Sequence, residues 1–320
     1  MNKLHRSAAP HINSGVSTCN IMLDVVIAMI PAALVAVLLF GLKALYIILT
    51  CVASAVVTEA LFNLCAKRKQ TVGDMSAVVT GLLLALNLST NVALWECVVG
   101  TVFAILVVKC FFGGLGKNIV NPAIAARVLM LLTFSSVVGG ASPTPLFNLD
   151  FLGKALPEAE LVAGATPLAL VKAGESAPTL LQLTVGAYGG AIGETCAIAL
   201  ILGFIYLVCR KVIKWYVPVS FVATVFLCYF VTSFDITYAL TQILSGGLLL
   251  GAIFMATDYV TTPANNLGRV VFCVGAGLLT FAIRQFSGYP EGVSIAILTM
   301  NLLTPFISDW TQKRTLGGVK

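Results

Sequence analysis

The stretch PEAELVAGATPLALV, Pro157–Val171, sits in the longest polar interruption of a chain that otherwise reads as almost continuous apolar helix. The interruption runs from Gly139 to Pro178 and leaves an apolar half on either side. Each half holds about five apolar runs of roughly 20 residues, the length of a helix crossing the hydrocarbon core. Barrel strands would be shorter and would alternate in polarity. The expected fold is therefore an all-α integral membrane protein of about ten transmembrane helices. Within the stretch, Thr166 stands among Gly164, Ala165 and Pro167. Read by itself, its hydroxyl closes a turn on its own backbone.

Composition supports this reading. Of 320 residues, 59% are hydrophobic and 10% charged, with a mean hydropathy of +1.00. A soluble domain carries about a quarter charged residues. The net charge of +6 raises the question of where the cations fall and does not point to nucleic acid. The polar N-terminal stretch leads into a long apolar run with no small-residue cleavage site, so the first span is expected to be retained.

The organisation expected is a tail (1–20), a first five-helix unit (21–138), a loop (139–190), a second five-helix unit (191–307) and a tail (308–320). The spans are Ile21–Phe40, Ala44–Cys65, Met75–Leu88, Val92–Phe112 and Asn121–Val138, then Ala191–Cys209, Tyr216–Thr232, Ile236–Ala256, Gly268–Phe286 and Gly292–Ile307. The third and fifth are short and interrupted, by Gly81 and Asn87 and by Asn121-Pro122. Thr179–Val185 reads as a further half-span. Broken helices at membrane depth must be buried in protein or line a cavity. In two halves, they suggest an inverted repeat. Gly113-Gly114, Pro122-Ala123 and Arg127 are loosely echoed by Gly246-Gly247, Pro263-Ala264 and Arg269.

With the N-terminus inside and ten crossings, fourteen Lys and Arg fall on the cytoplasmic side. Only Lys43, Lys154, Lys172 and Arg284 fall outside, and Arg127 is left within the fifth span. That asymmetry places both termini in the cytoplasm and the Thr166 loop outside.

Two stretches carry candidate chemistry. GGLGKNIVNPAIAARVLM, Gly113–Met130, combines three glycines, Asn121-Pro122 and an arginine within a membrane span. It is either a tight turn, a helix start and a snorkelling Arg127, or an open helix N-terminus that holds an anionic or electron-rich ring. FMATDYVTTPANNLGR, Phe254–Arg269, brings Asp258 and three threonines to the end of an apolar span. It is either a capped helix end or a polar pocket at the inner face for a cofactor with hydrogen-bonding edges. Asp24, Glu59, Glu96 and Glu194 lie in apolar runs near helix ends, as packing-paired acids or as ion-path residues.

There is no Walker motif, Ser/His/Asp set or His-rich metal spacing, and His5 and His11 are both in the N-terminal tail. The 9 Cys form no Cys-x-x-Cys and avoid the long loop, so they read as packing residues more than as a disulfide framework. Ligands from separate helices converging on an iron–sulfur cluster are the alternative.

SAVVTGLLLALNL (Ser76–Leu88), GGLGKNIVNPAIAAR (Gly113–Arg127), GATPLA (Gly164–Ala169) and FMATDYVTTP (Phe254–Pro263) together carry a resemblance over nearly the whole chain. The chain resembles the D subunits of Rnf complexes, the ion-translocating ferredoxin:NAD oxidoreductases. It is also similar to the B subunits of sodium-pumping NADH:quinone oxidoreductases, which have a longer N-terminal region. The resemblance implies an FMN joined through its phosphate to the Thr of a Ser-Gly-Ala-Thr motif, here Thr166, with Gly164 and Ala165 beside it. Ala163 stands where the family motif has Ser. It also implies a second, non-covalent riboflavin, for which Asn121, Arg127 and Asp258 are the candidates here. The implied fold is ten helices in two inverted five-helix repeats. The implied partners are the outer flavoprotein (the G component), the iron–sulfur membrane components A and E, and the soluble components B and C, in the cell (inner) membrane. Catalysis then belongs to the assembled redox translocase, with Na+ or H+ as the moved ion. The alternative from another class is a small-solute channel or secondary transporter without redox activity.

Overall fold

Five helices are built almost wholly of apolar residues and are long enough to cross a bilayer. They are α1 (Thr18–Phe40), α2 (Leu42–Cys65), α9 (Tyr216–Ser233), α12 (Asn266–Phe286) and α13 (Val293–Thr311). The computed structural model describes residues 17–134, 166–173, 178–186, 188–287 and 291–312. The expectations for Gly164, Ala165 and most of the 139–190 loop lie outside these residues. In α1 the side chain of Ser17 caps the start by accepting the Asn20 N–H. Gly41, at φ 75°, turns the chain straight into α2. Leu34, Leu38, Leu49 and Leu61 point outward and are exposed, as lipid-facing positions should be. Small residues face inward, among them Ala28, Ala32, Ala36, Ala44 and Ala55, and these let helix backbones approach closely.

The shorter helices fill the remaining expected spans. They are α3 (Ser76–Leu86), α4 (Leu94–Val102, continuing as a π-helix over Phe103–Cys110), α5 (Pro122–Thr133) and α8 (Ala197–Cys209). α3 and α5 have 11 and 12 residues, so the third and fifth runs are half-length, as their Gly, Asn and Pro suggest. Two short helices, α6 (Pro167–Ala173) and α7 (Leu180–Val185), lie between the halves. α2 packs on α3 and α4, and α12 packs on α9 and α13, while α1 against α8 joins the two halves.

Two expectations need correction. The eighth run, Ile236–Ala256, is not one helix. It breaks into α10 (Ile236–Leu244) and α11 (Leu248–Leu250, then π-helical over Gly251–Met255), bent by 67°. The break falls on Ser245-Gly246-Gly247, where Gly246 takes φ 70°. Hydropathy counts apolar residues and is blind to a three-residue break inside a run. The sixth run, Ala191–Cys209, becomes helical only at Ala197. Residues 188–196 form an extended and turning segment laid along the end of α3. The weak echo also has a different meaning. Gly113-Gly114 lies in the turn after α4, whereas Gly246-Gly247 is the helix break itself.

A Cβ on Gly246 would fall 2.6 Å from Leu168 Cδ1 and 3.3 Å from Arg284 Nη2, on a backbone that also disfavours L side chains. Gly246→Ala is expected to cost about 1–3 kcal/mol, read as a lowered unfolding temperature in detergent. Gly190→Ala meets nothing closer than 3.5 Å and should be near neutral.

Candidate functional site: two clefts and the helix ends between them

A helix that stops inside an apolar bundle leaves up to four carbonyls without partners. In this chain α3 and α10 both stop that way, and each end is closed by an arginine from another helix. At the end of α3, Arg127 of α5 donates to the Asn87 carbonyl (2.6 Å) and to the Asn87 side chain. The Gly193 and Ile192 N–H groups donate to the carbonyls of Leu86 (2.7 Å) and Leu88 (2.8 Å). A Cβ on Gly193 would land on Leu86, which explains the glycine. At the end of α10, Arg284 of α12 donates to the carbonyls of Gln242 (2.6 Å) and Ser245 (3.2 Å). The Tyr188 hydroxyl reaches Leu244 O (3.3 Å) and Glu194 O (3.1 Å), tying this end to the segment that closes α3. Cations also suit the negative end of the helix dipole.

Arg127 carries two further partners. Glu194 lies 2.9 Å away and Glu291 also pairs with it. The other acids are likewise engaged. Glu59 holds Lys109 at 2.8 Å, Asp24 holds Arg210 at 3.2 Å, and Glu96 accepts the Ala93 N–H at the start of α4. Of the two readings of these acids, the packing-paired one describes their geometry. Glu194 lies buried in the 188–196 segment, three residues before α8 and beside the end of α3.

Between α1, α3, α4, α5, α8 and the turn after α11 lies a cleft enclosing about 740 Å³. It occupies the end of the bundle where α1 begins, and we call this the basic end. Its apolar walls include Val79, Leu83 and Phe254, and its polar rim includes Ser76, Thr80, Lys109, Asn118, Asn121 and Asp258. The two motif stretches thus meet in one cavity. Asn301 of α13 holds them together. With its amide turned to satisfy both neighbours, it accepts from Asn121 N–H (3.1 Å) and donates to Thr261 O (3.2 Å). Asn121 itself caps α5, its Oδ1 accepting the Ala123 N–H at 3.0 Å. Asp258 accepts from Val260 N–H and from the Thr261 hydroxyl. Burial pushes the Asp258 carboxyl above the usual carboxylate range, and those two hydrogen bonds oppose the shift. The buried Asn118 Oδ1 has no hydrogen-bond partner among the described residues. Arg127 does not line the cleft; its guanidinium is spent on the α3 end.

A second cleft of about 640 Å³ opens near the end of α10, lined by Leu168, Lys172, Tyr229, Tyr238, Gln242 and Arg284. Its rings are ordered, with Tyr229 edge-on to Tyr238 (5.9 Å) and to Phe281 (4.9 Å). Gln242 Oε1 and Arg284 Nε are buried there without a hydrogen-bond partner among the described residues. Thr166 stands immediately before α6, whose Leu168 and Lys172 form one wall. It is buried, and its Oγ1 accepts the Ala169 N–H at 3.3 Å, so the turn-closing role read for it is present. Lys172 also bonds the Ser287 carbonyl, anchoring α6 to the end of α12.

The clefts lie at opposite ends. A smaller hollow adjoins the basic-end cleft, shares Thr257 and Tyr259 with it, and reaches Val217 and Arg269. The second cleft touches the same helices at Tyr229 and Arg284. At 1.5 Å per residue these pairs are about 18 Å apart on α9 and about 22 Å apart on α12.

Sequence reasoning misses three residues that organise this arrangement. Arg284 reads only as one of the few outer-side cations, Asn301 is one polar residue in an apolar run, and Tyr188 sits among glycines. A glycine-flanked break is the available signal for the first. All nine cysteines are free, and Cys51 and Cys97 meet between α2 and α4. Among the described residues no group of three or more His, Cys, Asp or Glu is placed to hold a metal.

Comparison with known proteins places these features in a family. The sequence profile of the NQR2, RnfD, RnfE family matches residues 5–317. The D subunit of the Na(+)-translocating ferredoxin:NAD(+) oxidoreductase complex of Acetobacterium woodii is 43% identical, covering 100% of this chain and 98% of that protein. The D subunit of the proton-translocating ferredoxin:NAD(+) oxidoreductase complex of Clostridium ljungdahlii is 36% identical, covering 97% and 95%. The D subunit of an ion-translocating oxidoreductase complex of Stutzerimonas stutzeri is 35% identical, covering 94% and 92%.

Removing Arg127 strands the buried carboxylate of Glu194, the half-buried one of Glu291 and a helix end. Arg127→Met is expected to destabilise the purified chain by about 3–5 kcal/mol. Adding Glu194→Gln and Glu291→Gln should recover part of that loss, because the three charges act as one unit. Thermal unfolding that worsens with the added substitutions would contradict this assignment.

Proposed function

The chain belongs to the NQR2, RnfD, RnfE family, and from that premise we propose that it carries electrons across the membrane between two flavins, within an ion-translocating complex of the ferredoxin:NAD oxidoreductase type. The observation that supports this most is the pair of clefts at opposite ends of one bundle, one of them walled by the helix that starts at Thr166. FMN is attached through a phosphoester to Thr166 and faces the outside. A second flavin, riboflavin, occupies the basic-end cleft on the cytoplasmic side. The remaining Rnf-type components are the partners: the flavoprotein G outside, the iron–sulfur proteins A and E in the membrane, and B and C inside.

The residues present fit both groups. An isoalloxazine needs a flat apolar slot and a polar edge. Val79, Leu83 and Phe254 supply the first at the basic end; Asn118, Thr80 and Asp258 supply the second. In the other cleft, Tyr229 and Tyr238 offer aromatic walls. The unpartnered Gln242 Oε1 and Arg284 Nε–H offer the acceptor and donor that a flavin pyrimidine edge complements. Flavins supply one- and two-electron transfer; the chain supplies position, water exclusion and charge. Lys172 and Arg284 give the Thr166 cleft a positive field suited to a ring that gains electrons. Tunnelling weakens exponentially with distance, so a separation of about 20 Å along the helices calls for a carrier between the flavins, from this chain's neighbours or from motion of the tether. Electron transfer across a bilayer displaces charge, and a moving cation balances it.

Broken helices alone would also serve a small-solute channel, and a flavin spectrum in the purified protein separates the two readings. Thr166→Ala should abolish the in-gel fluorescence of the denatured protein while the chain still inserts. Covalent fluorescence that persists would remove Thr166 from its role. Asp258→Ala should leave the covalent flavin in place and lower the non-covalent flavin content. If that content and the reoxidation rate of the tethered FMN are both unchanged, the second flavin lies elsewhere.

A further inference from the structure

The hollow beside the basic-end cleft is open to solvent and is lined by Lys211, Lys214 and Arg269. Lys211 and Lys214 come from the turn between α8 and α9, and Arg269 from the first turn of α12. The side-chain contacts these cations make are to neutral groups. Lys214 Nζ donates to Asn266 Oδ1 and lies over the Tyr216 ring, and Arg269 Nε donates to Pro263 O at 3.0 Å. Among the described residues no carboxylate forms an ion pair with any of the three. Nearby Asp24 is held by Arg210, and Asp258 is engaged by Val260 N–H and the Thr261 hydroxyl. Three cations around one hollow therefore have no ion-pair partner among the described residues.

The hollow lies at the basic end of the bundle. α9 and α12 both begin there, and the exposed rings of Trp215 and Tyr259 flank it. Such rings mark the membrane–water boundary. Val212, Ile213 and Val217 form an apolar wall, and Thr257, Tyr259 and Thr262 complete the lining. We propose that this hollow binds the phosphate headgroup of an anionic phospholipid. The cations meet the phosphate and the apolar wall accepts the start of an acyl chain. A free phosphate or the phosphate of a nucleotide shares the anionic chemistry but makes no use of the apolar wall. Basic pockets between membrane helices hold acidic headgroups in this way.

The test uses the full complex, purified and delipidated in an uncharged detergent. It is titrated with phosphatidylglycerol, phosphatidylcholine or inorganic phosphate, and bound lipid is counted by native mass spectrometry. Saturable retention of phosphatidylglycerol over phosphatidylcholine is expected. Lys211→Gln and Lys214→Gln should each weaken it about fivefold, the effect of one basic side chain near an anionic surface (about 1 kcal/mol). Lys211→Arg should retain wild-type binding. Equal retention of phosphatidylcholine, or unchanged binding in both glutamine variants, overturns the proposal. Displacement of phosphatidylglycerol by millimolar phosphate or FMN also overturns it, by assigning the hollow to a soluble phosphate. The wild-type lipid comparison needs no variant, so it decides the matter even where a variant fails to assemble.

Discussion

Two guanidinium groups, Arg127 and Arg284, close helix ends that would otherwise present bare carbonyls to an apolar interior. Each unsatisfied carbonyl at membrane depth costs several kcal/mol, so a helix can stop there only if another part of the chain supplies donors. The chain does this twice, once in each half. In the first half the donors are Arg127 and the N–H groups of 192–193; in the second they are Arg284 and the Tyr188 hydroxyl. Because 188–196 contributes to both, the two broken ends are held as one unit. The counterpart of Arg127 is thus Arg284 and not Arg269.

The basic-end cleft lies beside the first turns of α3 and the start of α5, between the Asn121 and Asp258 stretches that Asn301 joins. Beside the α10 end lies the cleft that α6 walls off with Leu168 and Lys172. The arginines have opposite relations to these spaces. Arg127 is saturated by two carboxylates and backs away from the basic-end cleft, while Arg284 meets no carboxylate among the described residues and keeps Nε free at its cleft. The cleft near Thr166 is therefore lined by the cations Lys172 and Arg284, and the one at the other end by Lys109, Asp258 and the amides of Asn118 and Asn121.

Much of this is legible in the sequence. Length, hydropathy and glycine placement give the helical class, the half-length third and fifth segments and a short helix within Thr179–Val185. The two dense motifs predict a polar site, and the structure brings Asn121 and Asp258 to one cavity. What hydropathy hides is the break at Ser245-Gly246-Gly247, because the flanking leucines keep the run apolar. The late start of α8 is written in Gly193-Glu194-Thr195, which interrupts the apolar run just before Ala197. Arg127 looks like a ligand for a ring because composition cannot say which partners a buried cation finds. Its carboxylates come from 67 and 164 residues away along the chain, and no local pattern encodes such pairings.

The central claim is that the two clefts face opposite sides of the membrane. It is tested most directly by single cysteines at Ala173, in α6, and at Lys69, beyond the end of α2, in a background lacking the exposed Cys65 and Cys209. In sealed vesicles of known orientation carrying the full complex, an impermeant maleimide should label the Ala173→Cys protein only from the outer face. It should label the Lys69→Cys protein only from the cytoplasmic face. Labelling of both positions from the same face would contradict the account.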